Sequence, residues 1–352
     1  MEYYIGCDAH KKYSVFVTVD ERGKTCSPER VNHDKAVYTR YLKSLPEGST
    51  VAVESVCNWY WMIDEMEKAG LIPLLVNPRK AKLLMGMINK TDKLDARGLA
   101  MLNLNGSLPV VWIPPAELRD QRELSRMRMT LVSVRTKLKN RIHATLSKYA
   151  IEIDEVSDIF GKKGRQLLKE AIRQLPPETL QSVESQLVLL DQTIDQIDQA
   201  EARIRQVVKE TPMMQLIKSL PGVGDILAIV IALEIGTVER FGRAEQLASY
   251  AGTVPRVNSS GGKTHYGRTR PDVNRYLKWA YIEAANCIGL SKRYNDQRHA
   301  VQLLIRLKSK KGYPKAAVAV ARHLAEATYH MLRKNEPYKE PALKRHVSSS
   351  RG

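Results

Sequence analysis

Tyr3-Tyr-Ile-Gly-Cys-Asp8-Ala-His-Lys-Lys-Tyr13-Ser-Val-Phe-Val-Thr-Val-Asp20 contains two β-prone runs, residues 3–7 and 14–19, around a polar turn, and a second turn follows at 20–23. Asp8 closes the first run, so its carboxylate leaves the sheet beside a turn instead of entering an apolar layer. An acid in that position either caps the turn or holds a metal ion for phosphate chemistry. The rest of the chain bears on that choice.

Beyond this stretch, residues 36–45 form an amphipathic helical pattern that closes at Pro46-Glu-Gly48. Thr50-Val-Ala-Val-Glu54 is a second apolar run ending in an acid. A helix over 59–69 stops at Gly70, and a buried strand over 72–76 precedes Asn77-Pro78. Strands alternating with helices predict an α/β domain with a mainly parallel sheet and ligand chemistry at the strands' carboxyl ends. Asp8 and Glu54 both sit at such ends. In Asn89-Lys90-Thr91-Asp92-Lys-Leu-Asp95-Ala-Arg97 a helix starts at Thr91 or Asp92, which puts Asp92 and Asp95 on one face. Acids in a first helical turn also satisfy the helix dipole. Taken with Asp8 and Glu54, a cluster of four carboxylates able to hold one or two Mg²⁺ ions, or Mn²⁺, is the fuller account.

The chain has 352 residues, enough for two or three domains with their own cores. Its net charge of +18 points to a polyanionic partner. The excess is local: +2 over residues 1–115, +6 over 116–150, −4 over 151–210 and +14 over 211–352. Neither a long apolar span nor a lipidation signal is present, which excludes a membrane role, and the start lacks a secretory pattern. Cys7, Cys26, Cys57 and Cys287 lack metal-type spacing and read as reduced thiols of a cytoplasmic protein.

Three domains are expected: 1–150, carrying the acids and a trailing basic helix; 151–210, a helical coiled-coil arm; and 211–352, mostly helical. After Pro114-Pro115, residues 117–149 contain no proline or glycine and repeat apolar residues at helical spacing. Arg126 and Arg135 belong to its basic face, which either meets solvent or lies along phosphates. Leu180, Val183, Leu187, Leu190, Ile194 and Ile197 follow a heptad pattern, which pairs within the chain or between chains. Leu220-Pro-Gly222-Val-Gly224 resembles a helix-hairpin-helix turn whose free amides bind a DNA phosphate; a plain interhelical turn is the alternative. Ser259-Ser260-Gly261-Gly262, close to Lys263, Arg268 and Arg270, is either a flexible linker or a nucleophile in a cationic setting.

The order of Asp8, Glu54 and Asp92-x-x-Asp95, with the Lys90-Thr91-Asp92 and Ala96-Arg97 flanks, resembles the DEDD transposases of insertion sequences related to the Piv DNA invertase. That resemblance covers nearly the whole chain. It implies a RuvC-like, ribonuclease-H-type N-terminal domain with Asp8, Glu54, Asp92 and Asp95 as the catalytic, metal-holding acids. The C-terminal part looks like the same family's transposase domain, whose Ser-Gly motif selects Ser260 as nucleophile, with Ser259 one residue away. The loop after the glutamate, Ser55-Val-Cys-Asn58-Trp-Tyr, departs from the family's commoner Thr-Gly pair. The resemblance further implies donor and target DNA, a structured guide RNA and a homo-oligomer. A metal-dependent junction nuclease acting by hydrolysis is the rival expectation. A sugar-kinase reading lacks its glycine-rich phosphate loops, and a non-catalytic DNA-packaging protein predicts that DNA binding survives and no activity is lost when Asp92 or Asp95 becomes Asn.

Overall fold

A computed structural model describes residues 2–86, 91–290 and 298–341. Asn89 and Lys90 of the acidic string, and the polar tail after Pro341, lie outside them. The chain divides into two compact units, residues 1–113 and 114–352.

The first unit is built on a five-stranded sheet. Its strands are β1 (Tyr3–Ala9), β2 (Tyr13–Asp20), β3 (Glu29–Asn32), β4 (Thr50–Glu54) and β5 (Ile72–Val76), in the order β3-β2-β1-β4-β5. β1 pairs antiparallel with β2 and parallel with β4, and β4 pairs parallel with β5. Helices α1 (Lys35–Ser44), α2 (Trp59–Lys68), α3 (Pro78–Met85) and α4 (Asp92–Leu104) complete it. This mixed sheet with parallel strands is compatible with a ribonuclease-H-like domain.

Alternation along β1 sorts its side chains between two layers. Ile5, Cys7 and Ala9 pack with Tyr38 and Leu42 of α1 and Met62, Ile63 and Met66 of α2. On the opposite face, Val15, Val17 and Val19 of β2 pack with Ala96 and Ala100 of α4. Gly6 belongs to the α4 side, where a Cβ would stand 1.9 Å from the Ala96 carbonyl oxygen and 2.6 Å from the Ala100 nitrogen. The missing side chain lets α4 lie against the backbone of β1. Asn103, near the other end of α4, donates to Thr50 Oγ1 at 2.8 Å, at the start of β4. The helix therefore runs back along the strands and brings its first turn to their carboxyl ends. Gly6→Ala is expected to cost about 3 kcal/mol or more, because two backbones must separate to admit one methyl group. Urea denaturation of the purified variant checks it, and a loss under about 1 kcal/mol contradicts the close approach.

The second unit is mostly helical. It holds α5 (Ala116–Lys148), α6 (Lys162–Ala171) with a short 3₁₀ turn (Ile172–Gln174), α7 (Pro177–Val207), α8 (Pro212–Lys218), α9 (Asp225–Ile235) and α10 (Ala244–Tyr250). A hairpin of β6 (Pro255–Ser260) and β7 (Lys263–Thr269) follows, then α11 (Arg275–Leu290), α12 (His299–Lys311) and α13 (Tyr313–Lys334). The long helices α5 and α7 run antiparallel, since Tyr149 pairs with Thr179 and Arg128 with Glu201. Val183, Leu190, Ile197 and Ile204, seven residues apart, are all buried, so the heptad seam is filled from within the chain. Sequence order attaches the basic helix to the sheet domain, whereas by packing α5 lies on α7 and α9.

α9 is buried all round from Ala228 to Ile235 and forms the centre of the second core. The turn before it carries Gly222 at φ +75°, with its Cβ position 2.2 Å from the Ala284 carbonyl oxygen of α11. This glycine is a packing residue, whereas Gly224 at the helix N-cap is exposed and has nothing within 4 Å of its Cβ position.

Candidate metal centre and serine hairpin

The close approach at Gly6 places the next residue on that face of β1, Asp8, beside the first turn of α4. Thr91 caps this helix by accepting from the Leu94 amide at 3.3 Å, which fixes where Asp92 and Asp95 begin. His10, in the turn after β1, joins them. Its Nε2 lies 3.1 Å from Asp8 Oδ2 and 3.2 Å from Asp92 Oδ2. Ligand-type atoms of Asp8, His10 and Asp92 all lie within 4.8 Å of one another. Tyr13 donates its hydroxyl to Asp92 Oδ2 at 2.9 Å and stacks on the His10 ring at 4.6 Å between centroids. Asn58, in the loop that departs from the family pattern, donates to the His10 carbonyl oxygen at 3.0 Å.

Asp8 is 9% exposed, and its carboxyl is held above the usual carboxylate range. Burial is the main cause; the neighbouring Asp95 and Asp92 add to it, and His10 opposes it. Glu54 follows Val53, the register partner of Cys7, so it ends the strand alongside Asp8. Thus the structure brings Asp8 and Asp92 together, while the tight group includes neither Asp95 nor Glu54. Crowded, partly buried carboxylates with hard oxygen donors suit a divalent cation, which relieves their mutual repulsion. The Cys7 thiol on the other face of β1 is pushed up to about 12 by burial and is inert.

His10 and Tyr13 were not singled out in the sequence as site residues. The available signal was their place in the turn after Asp8, since such a turn returns its side chains to the strand end it leaves.

The serine stretch corrects one expectation: it is no loop, because Ser259 and Ser260 are the last two residues of β6. Gly261 and Gly262, at φ +56° and +75°, make the two-residue turn, a conformation that favours glycine at both positions. Ser260 pairs with Lys263, Ser259 with Thr264, Asn258 with His265 and Val257 with Tyr266. Side chains alternate along each strand, so Ser260 shares a face with Lys263, Asn258 and His265, whereas Ser259 shares the other with Thr264, Val257 and Tyr266. Ser259 Oγ lies 3.3 Å from Thr264 Oγ1. Both strands are exposed almost throughout.

The cations divide in the same way. Lys263 and Arg268 are exposed on β7, whereas Arg270 donates from Nε to Asp272 at 3.1 Å. Arg135 is half-exposed on α5. Arg126, expected on the basic face of this helix, donates its guanidinium to both oxygens of the fully buried Glu234, at 2.8 and 3.0 Å, and covers the Tyr276 ring. A buried carboxylate without its partner is costly, so this arginine is committed to the core.

An α/β unit with acids at its strand ends is thus followed by a helical unit with an exposed serine hairpin; the transposase and recombinase relatives below make this the class of DNA-modifying enzymes. Residues 5–151 match the DEDD_Tnp_IS110 transposase family and residues 214–301 the Transposase IS116/IS110/IS902 family. The transposase for insertion sequence element IS1111A of Coxiella burnetii is 26% identical over 340 residues, covering 95% of this chain and 91% of that protein. A probable family 20 transposase of Pseudomonas aeruginosa is 25% identical, over 70% and 73% of the two chains. The pilin gene-inverting protein of Moraxella bovis is 26% identical over 79% and 77%. The chain belongs to the IS110/IS116 family of insertion-sequence transposases. That family implies DNA substrates, and its DEDD-type domain suggests a divalent metal. Among the described residues, no helix is long and apolar enough to cross a membrane.

Proposed function

We propose that this chain is a recombinase that cleaves and exchanges DNA strands using a divalent ion held by Asp8, Glu54, Asp92 and Asp95, with Ser260 as nucleophile. The observation that carries the reading is the meeting of Asp8 from β1 with Asp92 from α4, in a region matching DEDD transposases. When bound, Mg²⁺ or Mn²⁺ supplies charge neutralisation at the scissile phosphate and at the attacking and leaving oxygens. Ser260 Oγ attacks phosphorus and loses its proton, the bond to the 3′ oxygen breaks, and that oxygen takes up a proton as a free 3′-hydroxyl. A 3′-hydroxyl of another strand then attacks the phosphoserine, which restores Ser260 and completes the exchange. Lys263, across the hairpin from Ser260, neutralises the phosphate, and Arg268, exposed further along β7, contacts the DNA backbone. Gly224 at the start of α9, Arg135 and Arg270 extend the backbone contacts, and Gly222 keeps that turn in place.

A homo-oligomer is the working form in this reading, because recombination holds several strands at once. An element-encoded structured RNA pairs with donor and target DNA, and the net charge of +18 suits either polyanion. Sequencing the RNA that co-purifies with the protein tests this part. A discrete structured RNA from the DNA flanking the coding sequence is the expected result, and fragmented host RNA alone overturns the guide.

A further inference from the structure

We infer that His10 is itself a ligand of the divalent ion, so that the metal set of this chain includes an imidazole nitrogen beside its carboxylates. The inference rests on the reading of Asp8 and Asp92 as metal-holding acids. Six-coordinate Mg²⁺ has bonds of about 2.1 Å, which separates adjacent ligand atoms by about 3.0 Å. His10 Nε2 lies 3.1 Å from Asp8 Oδ2 and 3.2 Å from Asp92 Oδ2, the lengths of two edges of such a polyhedron. Without the ion these are hydrogen-bond lengths; with it, the same spacing lets the deprotonated nitrogen join the two oxygens as a third ligand.

The ring is also held from outside the site. Tyr13 stacks on one face, Asn58 fixes the backbone carbonyl, and the His10 amide donates to the Tyr13 carbonyl oxygen at 2.9 Å. The stacked tyrosine and the two backbone hydrogen bonds set the imidazole's place beside the acids, as neighbours do for a metal-binding histidine. Carboxylates alone suit Mg²⁺, whereas an imidazole improves the site for transition ions. The chemical consequence is a shift in preference from Mg²⁺ towards Mn²⁺.

The test is binding of Mn²⁺ to the full chain, followed by electron paramagnetic resonance, with pulsed detection of ¹⁴N coupling. The expected result is an imidazole ¹⁴N coupling on the bound ion, lost in His10→Gln. That variant should also bind Mn²⁺ about tenfold more weakly, with a smaller change for Mg²⁺. Mn²⁺ that binds in an Asp92-dependent manner without nitrogen coupling overturns the inference and leaves the acid site standing. Coupling that persists in His10→Gln assigns it to another histidine and also overturns the inference. Binding unaffected by Asp92→Asn sinks the acid site, and the inference with it. Where His10→Gln fails to fold, His10→Ala takes its place, and absence of nitrogen coupling in the unsubstituted protein overturns the inference by itself.

Discussion

Asp8→Asn and Asp92→Asn are each expected to lower metal-dependent strand cleavage by about 10³-fold or more, a barrier increase of roughly 4 kcal/mol. Each change removes a charged oxygen from the place where β1 and α4 converge, and an amide binds a hard cation far more weakly. The two variants should differ in stability in a way that excludes misfolding as the cause. Asp8 is buried among like charges, so without metal Asp8→Asn should melt higher, by about 1 kcal/mol of stability, with its hydrogen bond to His10 retained through the amide oxygen. Asp92 is more exposed and accepts from Tyr13, so Asp92→Asn should be close to neutral. The measurements are cleavage of a labelled DNA substrate with added Mn²⁺ or Mg²⁺, and thermal melting in chelator. Full activity in either variant removes that acid from the site. Loss of DNA binding together with activity would point instead to damaged folding.

Ser260→Ala should abolish the covalent protein–DNA adduct, whereas Ser259→Ala should retain it. The physical ground is the hairpin register. Ser260 faces the side that carries Lys263, Asn258 and His265, where a phosphate finds a cation opposite the hydroxyl. Ser259 faces Val257, Thr264 and Tyr266, and its hydroxyl lies near that of Thr264. Since the strands are exposed on both faces, neither alanine disturbs a core, and both variants should melt like the parent. Trapping the adduct on a nicked or suicide DNA substrate and mapping it by mass spectrometry checks the assignment. An adduct on Ser259 transfers the role one residue upstream. Metal-dependent cleavage of similar rate in both alanine variants, without any adduct, supports hydrolysis by water in place of serine attack.

Local chemistry made much of this protein legible from its residues. Apolar runs of strand length ending in Asp8 and Glu54 mark the sheet of the first unit. Proline-free stretches with helical spacing mark α5 and α7, because periodicity follows from backbone geometry alone. The hairpin was less legible. Gly261-Gly262 is a turn signal, but strands with no buried face lack the alternation that announces a sheet, so the segment resembled a linker. The family resemblance supplied what residue patterns did not, including the choice of Ser260.

Distances across the chain were decided only by folding. Asp8 meets Asp92 because Gly6 lacks a side chain where α4 crosses β1, a fact about two backbones far apart in sequence. His10 enters that meeting because its turn folds back over the strand end. Arg126 and Arg135 look equivalent along α5, yet one is bound to Glu234 in the core and the other stays at the surface. An arginine's chemistry is written at its own position, but its partner is fixed by which distant segment packs against it. Residue order therefore set the elements and the chemical groups they carry, while packing in three dimensions set which of those groups touch.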